Sequence, residues 1–180
     1  MTIKLIVDNV EVPIKVVNFS DGSSNIKLEV PEYLVKYPPS AYYSISVDPT
    51  TPADAYMWEI SLAQDAVCRT FGCFKKSILN LPYLPHARAD RVFENGNSLP
   101  LGVFLDSILG FTEVMLTDPH SDFIFQKEYH QVIEVSIKPQ HQCFIDVVKD
   151  IESGSVLVSP DKGAAKKIYQ LQQRLDTHTI

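Results

Sequence analysis

The sequence has 180 residues, enough for one domain with a substantial core, because a chain of this size buries roughly 70% of its unfolded surface. Apolar residues make up 45% and charged residues 21%, so nothing in the composition suggests disorder, and the formal net charge of −6 argues against a surface that neutralises nucleic-acid phosphates. No segment approaches the length of a membrane span, and the N-terminal apolar run, interrupted by Asp8, is too short for a secretory core. We therefore expect a soluble cytoplasmic protein with no nucleic-acid or membrane partner.

The cysteine pattern and the absence of common catalytic motifs argue against several further classes of protein. Cys68, Cys73 and Cys143 are an odd number without CxxC spacing, which suggests neither a disulfide framework nor a zinc site. We expect them to be buried thiols. The patterns GxGxxG, GxxxxGKS/T, GxSxG and HExxH are also absent from the sequence.

The first quarter of the chain is predicted to be extended. Short runs rich in β-branched and aromatic residues alternate with polar turns. The predicted strands are Ile3–Val7, Val12–Val17, Asn25–Val30 and Tyr42–Val47. The clearest turn is Ser20-Asp21-Gly22-Ser23, where Gly22 can adopt a positive φ.

The remainder alternates between helices and strands. A first helix is expected to run to about Gly72, with Thr51 as its cap, Pro52 at its first position and Asp54 near the positive end of its dipole. The following strand and helix pairs are Ser77–Leu84 with Leu99–Leu109, Glu113–Thr117 with a long excursion, Val132–Ile137 with His141–Glu152, and Ser155–Ser159 with Gly163–Leu175. This alternation predicts a single α/β domain over residues 1–180, with a mostly parallel, doubly wound sheet. The early strands form its antiparallel edge or appendage.

Three loops of this predicted sheet carry charge at the same edge. In open α/β sheets, ligands bind outside the carboxyl ends of the strands. The loops that follow the three predicted strands are Pro85–Arg91, Asp118–Asp122 and Pro160–Gly163. We therefore expect the ligand site at this edge.

The residues of these loops suit a magnesium–nucleotide site. Arg88 and Arg91 can clamp phosphate oxygens, and Asp90 can hold one of the two guanidinium groups in place. Lys162 and Gly163 open a helix, where free backbone N–H groups favour an anion.

His120 with Asp161 can hold a divalent cation, directly or through water, when the phosphates of a substrate supply the other ligands. Each loop also has an ordinary interpretation: a salt-bridged surface loop, a structural histidine and helix capping, respectively. The convergence of the three loops at one edge is what favours a nucleotide site.

Several stretches have the order and spacing of motifs in a known family. They are Pro82–Arg91 (PYLPHARADR), Ser98-Leu99 at a helix start, Gly110–Val114 (GFTEV), Thr117–Ser121 (TDPHS) and Val158–Lys166 (VSPDKGAAK). Together they resemble ribose-phosphate pyrophosphokinase, also called PRPP synthetase. Asn18–Gly22 is similar to the turn of the flag hairpin of that family. The resemblance extends from about Phe19 to Leu175.

This resemblance implies a type I phosphoribosyltransferase-like fold with an antiparallel flag hairpin. It implies a reaction in nucleotide biosynthesis that passes the β,γ-diphosphoryl group of ATP to the 1-hydroxyl of ribose 5-phosphate, giving PRPP and AMP. Arg88 and His120 would be catalytic residues that contact ATP, with Arg88 near its adenine and phosphates and Asp90 and Arg91 beside it. His120 and Asp161 would lie at the Mg²⁺–ATP site. Phe19 and Asp21 would reach the adenine of a neighbouring subunit, which implies a homo-oligomer.

The sequence departs from the family pattern at Ala89, where glutamine is usual, and at Ser23, where glutamate is usual. It also has no counterpart of the catalytic loop and the ribose 5-phosphate loop of the family's second half, since it stops at Ile180. We therefore expect the N-terminal, ATP-side domain, which binds ribose 5-phosphate only if a C-terminal domain is supplied and makes no PRPP alone. Two alternatives stay open: a non-catalytic regulatory or assembly protein associated with PRPP synthetase, and a standalone nucleotide or phosphate binder.

Overall fold

The computed structural model describes residues 3–34, 40–45, 52–72, 74–120, 133–139, 141–144, 156–175 and 178–179. The chain divides into two compact units, Met1–Ser136 and Ile137–Ile180. The predictions for Thr51, Cys73 and most of the helix expected at His141–Glu152 lie outside the described residues; within that helix, residues 141–144 are helical.

The N-terminus forms a hairpin of strands β1 (Ile3–Val7) and β2 (Val10–Val12). Asp8 and Asn9 join them with φ values of 48° and 66°, and a two-residue turn with two positive φ angles matches the twist of antiparallel strands. The single strand predicted at Val12–Val17 is wrong, because β2 ends at Val12. Pro13 has no N–H for a strand ladder, so the chain leaves this sheet there.

A second hairpin of the first unit forms a separate two-stranded sheet, and its Ile26 is buried in the core. Strands β3 (Ile14–Asn18) and β4 (Ser24–Leu28) pair antiparallel, from Ile14 opposite Leu28 to Asn18 opposite Ser24. The predicted turn between them is confirmed, with Gly22 at φ 85°. This is the antiparallel hairpin that the sequence predicts.

The central sheet of the first unit is mixed. Its further elements are β5 (Ala41–Ile45), helix α1 (Ala53–Phe71), β6 (Ser77–Leu81), α2 (Pro100–Ser107), β7 (Glu113–Thr117) and β8 (Glu134–Lys138). The strand order is β2-β1-β5-β6-β7-β8. Strands β5, β6 and β7 are parallel neighbours, whereas β1 is antiparallel to β5. The predicted α/β class, with a parallel sheet and an antiparallel edge, is confirmed.

Helix α1 forms because apolar residues recur on one of its faces. Tyr56, Ile60, Ala63 and Val67 are buried at spacings of three and four residues, which places them on one side of a helix. The helix starts at Ala53, one residue later than predicted, with Pro52 in the cap position.

The same helix ends as predicted at Gly72, whose φ of 83° suits a glycine and whose N–H donates to the Cys68 carbonyl at 2.8 Å. Cys68 is exposed, so the prediction of buried thiols is wrong for it, and Cys143 is partly buried.

The core lies between α1, α2 and the parallel strands. Leu79 and Leu81 of β6 and Val114 and Leu116 of β7 alternate inward and are almost fully buried. Phe111, just before β7, packs edge-to-face on Tyr43 with ring centroids 4.9 Å apart.

The Tyr43 hydroxyl has no hydrogen-bond partner within the described parts of the chain, and burial raises its pKa. Next to Phe111, the Ser77 N–H donates to Thr112 Oγ1 at 2.9 Å, and the Thr112 N–H donates to the Ser77 carbonyl at 2.9 Å. These bonds fix the starts of β6 and β7 side by side.

The second unit contains a short parallel pair, β9 (Val156–Leu157) with β10 (His178–Thr179), and helix α3 (Ala165–Leu175). The strand predicted at Ser155–Ser159 and the helix predicted at Gly163–Leu175 are both present in shorter form. Among the helices that the structure describes, none has the length and apolar character needed to cross a membrane.

Candidate functional site

Two neighbouring strand ends create the first part of the site. Strands β6 and β7 are parallel and in register from Ile78 opposite Glu113 to Leu81 opposite Leu116, so their carboxyl ends reach the same sheet edge. Strand β6 ends at Leu81 rather than at the predicted Leu84, because Pro82 cannot extend the ladder. The loops that follow these strands therefore face one another.

These two loops enclose a pocket of about 160 Å³. Its lining residues are Tyr83, Leu84, Ala87, Arg88, Thr117, Asp118, Pro119 and His120. Arg88 and His120, predicted separately as ATP-site residues, thus line the same pocket. The sequence-based expectation that both loops meet at one edge is confirmed for these two residues.

A larger cleft of about 490 Å³ lies on the other side of Arg88. It is lined by Arg88, Ala89, Arg91, Phe93, Gly96, Asn97, Ser98 and Pro100. Because Arg88 belongs to both linings, the pocket and the cleft are adjacent. A ligand with two chemically different ends can occupy both.

The two arginines of the cleft have different electrostatic surroundings. Arg91 Nε and Nη2 donate to Asp90 Oδ1 at 2.9 Å and Oδ2 at 3.4 Å, which confirms that Asp90 holds one of the two guanidinium groups. These bonds raise the pKa of Arg91 above its ordinary value. The Asp90 side chain is only 16% exposed and that of Arg91 68%, so a largely buried carboxylate fixes a guanidinium that still faces solvent.

Arg88 is exposed, and among the described residues no carboxylate lies within ion-pair distance of it. No neighbouring carboxylate of the described residues therefore competes with a ligand for its planar guanidinium. Planar donors of this kind bind phosphate oxygens in pairs. The difference between the two arginines makes Arg88 the stronger candidate for contact with phosphate.

Backbone conformations that L-residues seldom adopt occur in both loops of the pocket. His86 has φ 59° and Asp118 has φ 43°, and neither is glycine. Strained residues of this kind cost free energy, of order 1–3 kcal/mol each, and they concentrate at functional sites. Both turn the chain sharply just where a predicted ligand residue follows, Arg88 in one loop and His120 in the other.

His86 also anchors its loop to neighbouring helices, a role that the sequence did not reveal. Its Nε2 lies 3.1 Å from Asp54 Oδ1 at the start of α1, and its ring centroid is 6.4 Å from that of Phe104 in α2. The Ala89 N–H donates to the His86 carbonyl at 2.8 Å. A lone histidine in a loop carries no pattern from which this anchoring could have been predicted.

Phe19 and Asp21, predicted to reach the adenine of a neighbouring subunit, occupy the tip of the β3–β4 hairpin. Phe19 is exposed, and the Asp21 carboxylate accepts hydrogen bonds from Ser23 Oγ at 2.7 Å and the Ser23 N–H at 2.9 Å, which lower the pKa of Asp21. Neither residue lines the pocket or the cleft. Their role towards a second subunit stays a prediction.

In the second unit, Asp161 is part of a helix cap. Its Oδ1 accepts the Ala164 N–H at 2.8 Å, and Ser159 Oγ donates to its carbonyl at 2.6 Å. A Cβ on Gly163 would lie 3.2 Å from Oδ1, so glycine leaves room for this contact. Helix capping, which is the ordinary interpretation of the Asp-Lys-Gly run, therefore explains the hydrogen bond to Asp161 Oδ1, one of the two carboxylate oxygens.

The metal role predicted for His120 and Asp161 stays a prediction. Within the described ranges, no three His, Cys, Asp or Glu side chains lie together as a set of metal ligands. When the phosphates of a substrate complete the coordination shell, a metal site needs fewer than three protein ligands.

Comparison with known proteins places this geometry in context. No protein-family profile matches the chain. A ribose-phosphate pyrophosphokinase of Saccharolobus solfataricus is 24% identical over 127 residues, which cover 69% of this chain and 42% of that protein. The crystal structure of phosphoribosylpyrophosphate synthetase from Mycobacterium smegmatis superposes with a TM-score of 0.69 at 18% identity, covering 93% of this chain and 54% of the other. The chain has a PRPP synthetase-like fold.

The chain spans about half the length of these two PRPP synthetases, 42% of one and 54% of the other. The similarity therefore concerns one part of those proteins. The pocket at the ends of β6 and β7 lies within that part, at the edge where α/β folds bind their ligands.

Proposed function

We propose that this chain is the ATP-side domain of a ribose-phosphate diphosphokinase in nucleotide biosynthesis. The observation that carries the proposal is the shared pocket of Arg88 and His120 at the carboxyl ends of two parallel strands, in a PRPP synthetase-like fold. ATP is its substrate, and ribose 5-phosphate binds when a C-terminal domain is supplied.

The reaction needs charge neutralisation and positioning more than a covalent intermediate. The 1-hydroxyl oxygen of ribose 5-phosphate bonds to the β-phosphorus of ATP while the bond from that phosphorus to the α,β-bridging oxygen breaks. AMP leaves with the bridging oxygen, and the hydroxyl proton is released. Arg88 and His120 hold the polyphosphate in the pocket, and Arg88 balances part of its negative charge.

Mg²⁺ is part of this proposal as a cofactor, and the resemblance implies a metal role for His120 and for Asp161. Asp161 Oδ1 is occupied by the Ala164 N–H, but Oδ2 accepts no hydrogen bond from the part of the chain that the structure describes. A bound Mg²⁺ would supply charge neutralisation at the phosphates, and it commonly needs only one or two carboxylates because substrate oxygens complete its shell.

A homo-oligomer is the remaining part of the proposal. Phe19 is 52% exposed, and Val16 and Val17 on the same hairpin are each 37% exposed. Val16 and Val17 lie on opposite faces of the strand, and exposed apolar side chains of this kind, with Phe19 at the tip, suit contact with another subunit. In such an assembly, Phe19 and Asp21 would complete the adenine site of the neighbour.

The proposal predicts that the purified chain binds Mg²⁺–ATP and that Arg88→Ala weakens binding by about 10- to 150-fold. The magnitude follows from the roughly 1.5–3 kcal/mol that a hydrogen bond to a charged group contributes. Isothermal titration calorimetry measures it, and His120→Ala should also weaken binding. Arg69→Ala is the matched control, because it removes an exposed arginine that pairs with Asp65 on α1, outside the linings of the pocket and cleft.

Absence of binding at millimolar ATP would contradict the proposal, as would equal affinities for Arg88→Ala and Arg69→Ala. These 180 residues alone should form no PRPP, because they span only about half the length of the two PRPP synthetases. Turnover by the chain alone would overturn that expectation. Co-purification with a complete PRPP synthetase, with changed activity of that enzyme, would instead favour the regulatory alternative.

A further inference from the structure

Phe93 has the most exposed large apolar side chain that the structure describes, at 76%. A single exposed apolar residue on a convex surface would be unremarkable in a soluble domain. Phe93, however, lines the 490 Å³ cleft together with Arg88 and Arg91. An uncovered aromatic ring in a concave, cationic site calls for a ligand that is flat at one end and anionic at the other.

The backbone around Phe93 is held at both ends. On the side of α2, the Glu94 N–H donates to Asn97 Oδ1 at 3.2 Å, the Asn97 N–H donates to the Glu94 carbonyl at 3.1 Å, and Gly96 permits this turn with φ 94°. On the other side, the Asp90–Arg91 ion pair lies one residue before Phe93, with Val92 between them. The ring is therefore presented by a loop with defined internal bonds, which lowers the entropy cost of binding.

We infer that Phe93 is the surface on which the base of the bound nucleotide stacks, within a single chain. Aromatic rings bind nucleobases face to face, and guanidinium planes add to such stacks. Arg91, whose charge is already paired with Asp90, offers such a plane in the same cleft. The triphosphate then extends past Arg88, which lines both cavities, into the pocket with His120.

This inference rests on the proposed function, because it describes the base end of the same nucleotide. It adds a residue that the resemblance did not assign. The resemblance assigns the adenine contact to Phe19 of a neighbouring subunit, whereas Phe93 acts in the chain that holds the phosphates. Stacking on Phe93 should therefore persist at protein concentrations where the chain is monomeric.

The test compares two probes on the purified chain, Mg²⁺–ATP and Mg²⁺–tripolyphosphate, which lacks a base. Phe93→Ala should weaken ATP binding by about 5- to 150-fold, the range for loss of one base–aromatic stack, and leave tripolyphosphate binding unchanged. Phe93→Trp should retain ATP binding, and ATP but not tripolyphosphate should quench its added fluorescence. Val92→Ala is the matched control, because Val92 is adjacent and 53% exposed but does not line the cleft.

The outcomes separate this inference from the proposed function. If the parent chain binds neither probe, the proposed function fails and the inference with it. If both probes bind and Phe93→Ala leaves the affinity for ATP unchanged, only the inference is overturned. Equal losses for Phe93→Ala and Val92→Ala, or equal losses for the two probes, would also overturn it, because they indicate a disturbed loop rather than a lost stack.

Discussion

The loop after β6 and the loop before α3 carry similar charged sequences but use them differently. In the first, Asp90 holds Arg91 while Arg88 stands exposed at the junction of two cavities. In the second, Asp161 caps its own helix through the Ala164 N–H, three residues away. A charged run at a strand end can therefore form a local helix cap, as at Asp161, or present an exposed arginine to two cavities, as at Arg88.

The way each loop is held differs as well. The β6 loop is tied to distant elements, because His86 contacts Asp54 of α1 and the Ala89 carbonyl accepts the Leu101 N–H of α2 at 3.3 Å. The hydrogen bonds that the described residues make in the loop before α3 are local in sequence.

Asp90→Ala should destabilise the protein by about 1–2 kcal/mol, because a mostly buried carboxylate loses its charge-assisted bonds to Arg91. The value lies towards the low end for such bonds, because water can solvate the exposed guanidinium. Urea unfolding measures the free energy, and Asp65→Ala is the control. That variant breaks the Asp65–Arg69 pair on α1, which is exposed on both sides and should contribute less than about 0.5 kcal/mol. Equal effects of the two variants would contradict a structural role for Asp90.

Asp161→Ala should cost about 1 kcal/mol through loss of the cap, whereas Asp161→Asn should cost little, because asparagine caps helices as well as aspartate does. The two variants therefore separate capping from cation binding. If Asp161 also holds Mg²⁺, Asp161→Asn should keep the urea midpoint but raise the Mg²⁺ concentration needed for half-maximal ATP binding. An unchanged Mg²⁺ requirement in Asp161→Asn would leave Asp161 as a cap alone.

His86→Asn should have the smallest effect, a two- to fivefold loss of ATP affinity. Asparagine tolerates the positive φ at this position, so the variant removes the contact with Asp54 while sparing the backbone. Asp54 is largely exposed, so the contact should be weak, below about 1 kcal/mol. Calorimetry on His86→Asn, Asp54→Asn and the double variant checks it. Additive losses would show that the two residues act independently and would refute the anchoring role.

The elements of the fold were largely predictable because their residues follow simple periodicities. Strand β7 was predicted with its observed bounds, and α1 to within a residue at its start, since its buried face recurs at helical spacing. Two of the errors in strand bounds occurred at prolines. Pro13 split a predicted strand and Pro82 shortened another, because each lacks the N–H that a ladder needs.

The residue types of the candidate site and its location at one edge of the sheet could both be predicted. The location follows because the carboxyl ends of parallel strands meet at the same edge. The meeting of Arg88 and His120 was inferred from this rule, and the structure bears it out. Phe93 and His86 were assigned no role, because an isolated aromatic or histidine in a loop has no period and no fixed spacing. Their roles can be inferred only from the residues that surround them in the folded structure.

The sequence by itself determined the α/β class, the early antiparallel strands, the parallel core strands and the loops that carry the charge, because these depend on patterns that are local along the chain. The tertiary structure alone decided which charges are paired. Arg91 is paired with a buried carboxylate, Arg88 faces two cavities, and an aromatic ring lies beside them. The physical reason is that burial and pairing depend on side chains brought together by long-range packing.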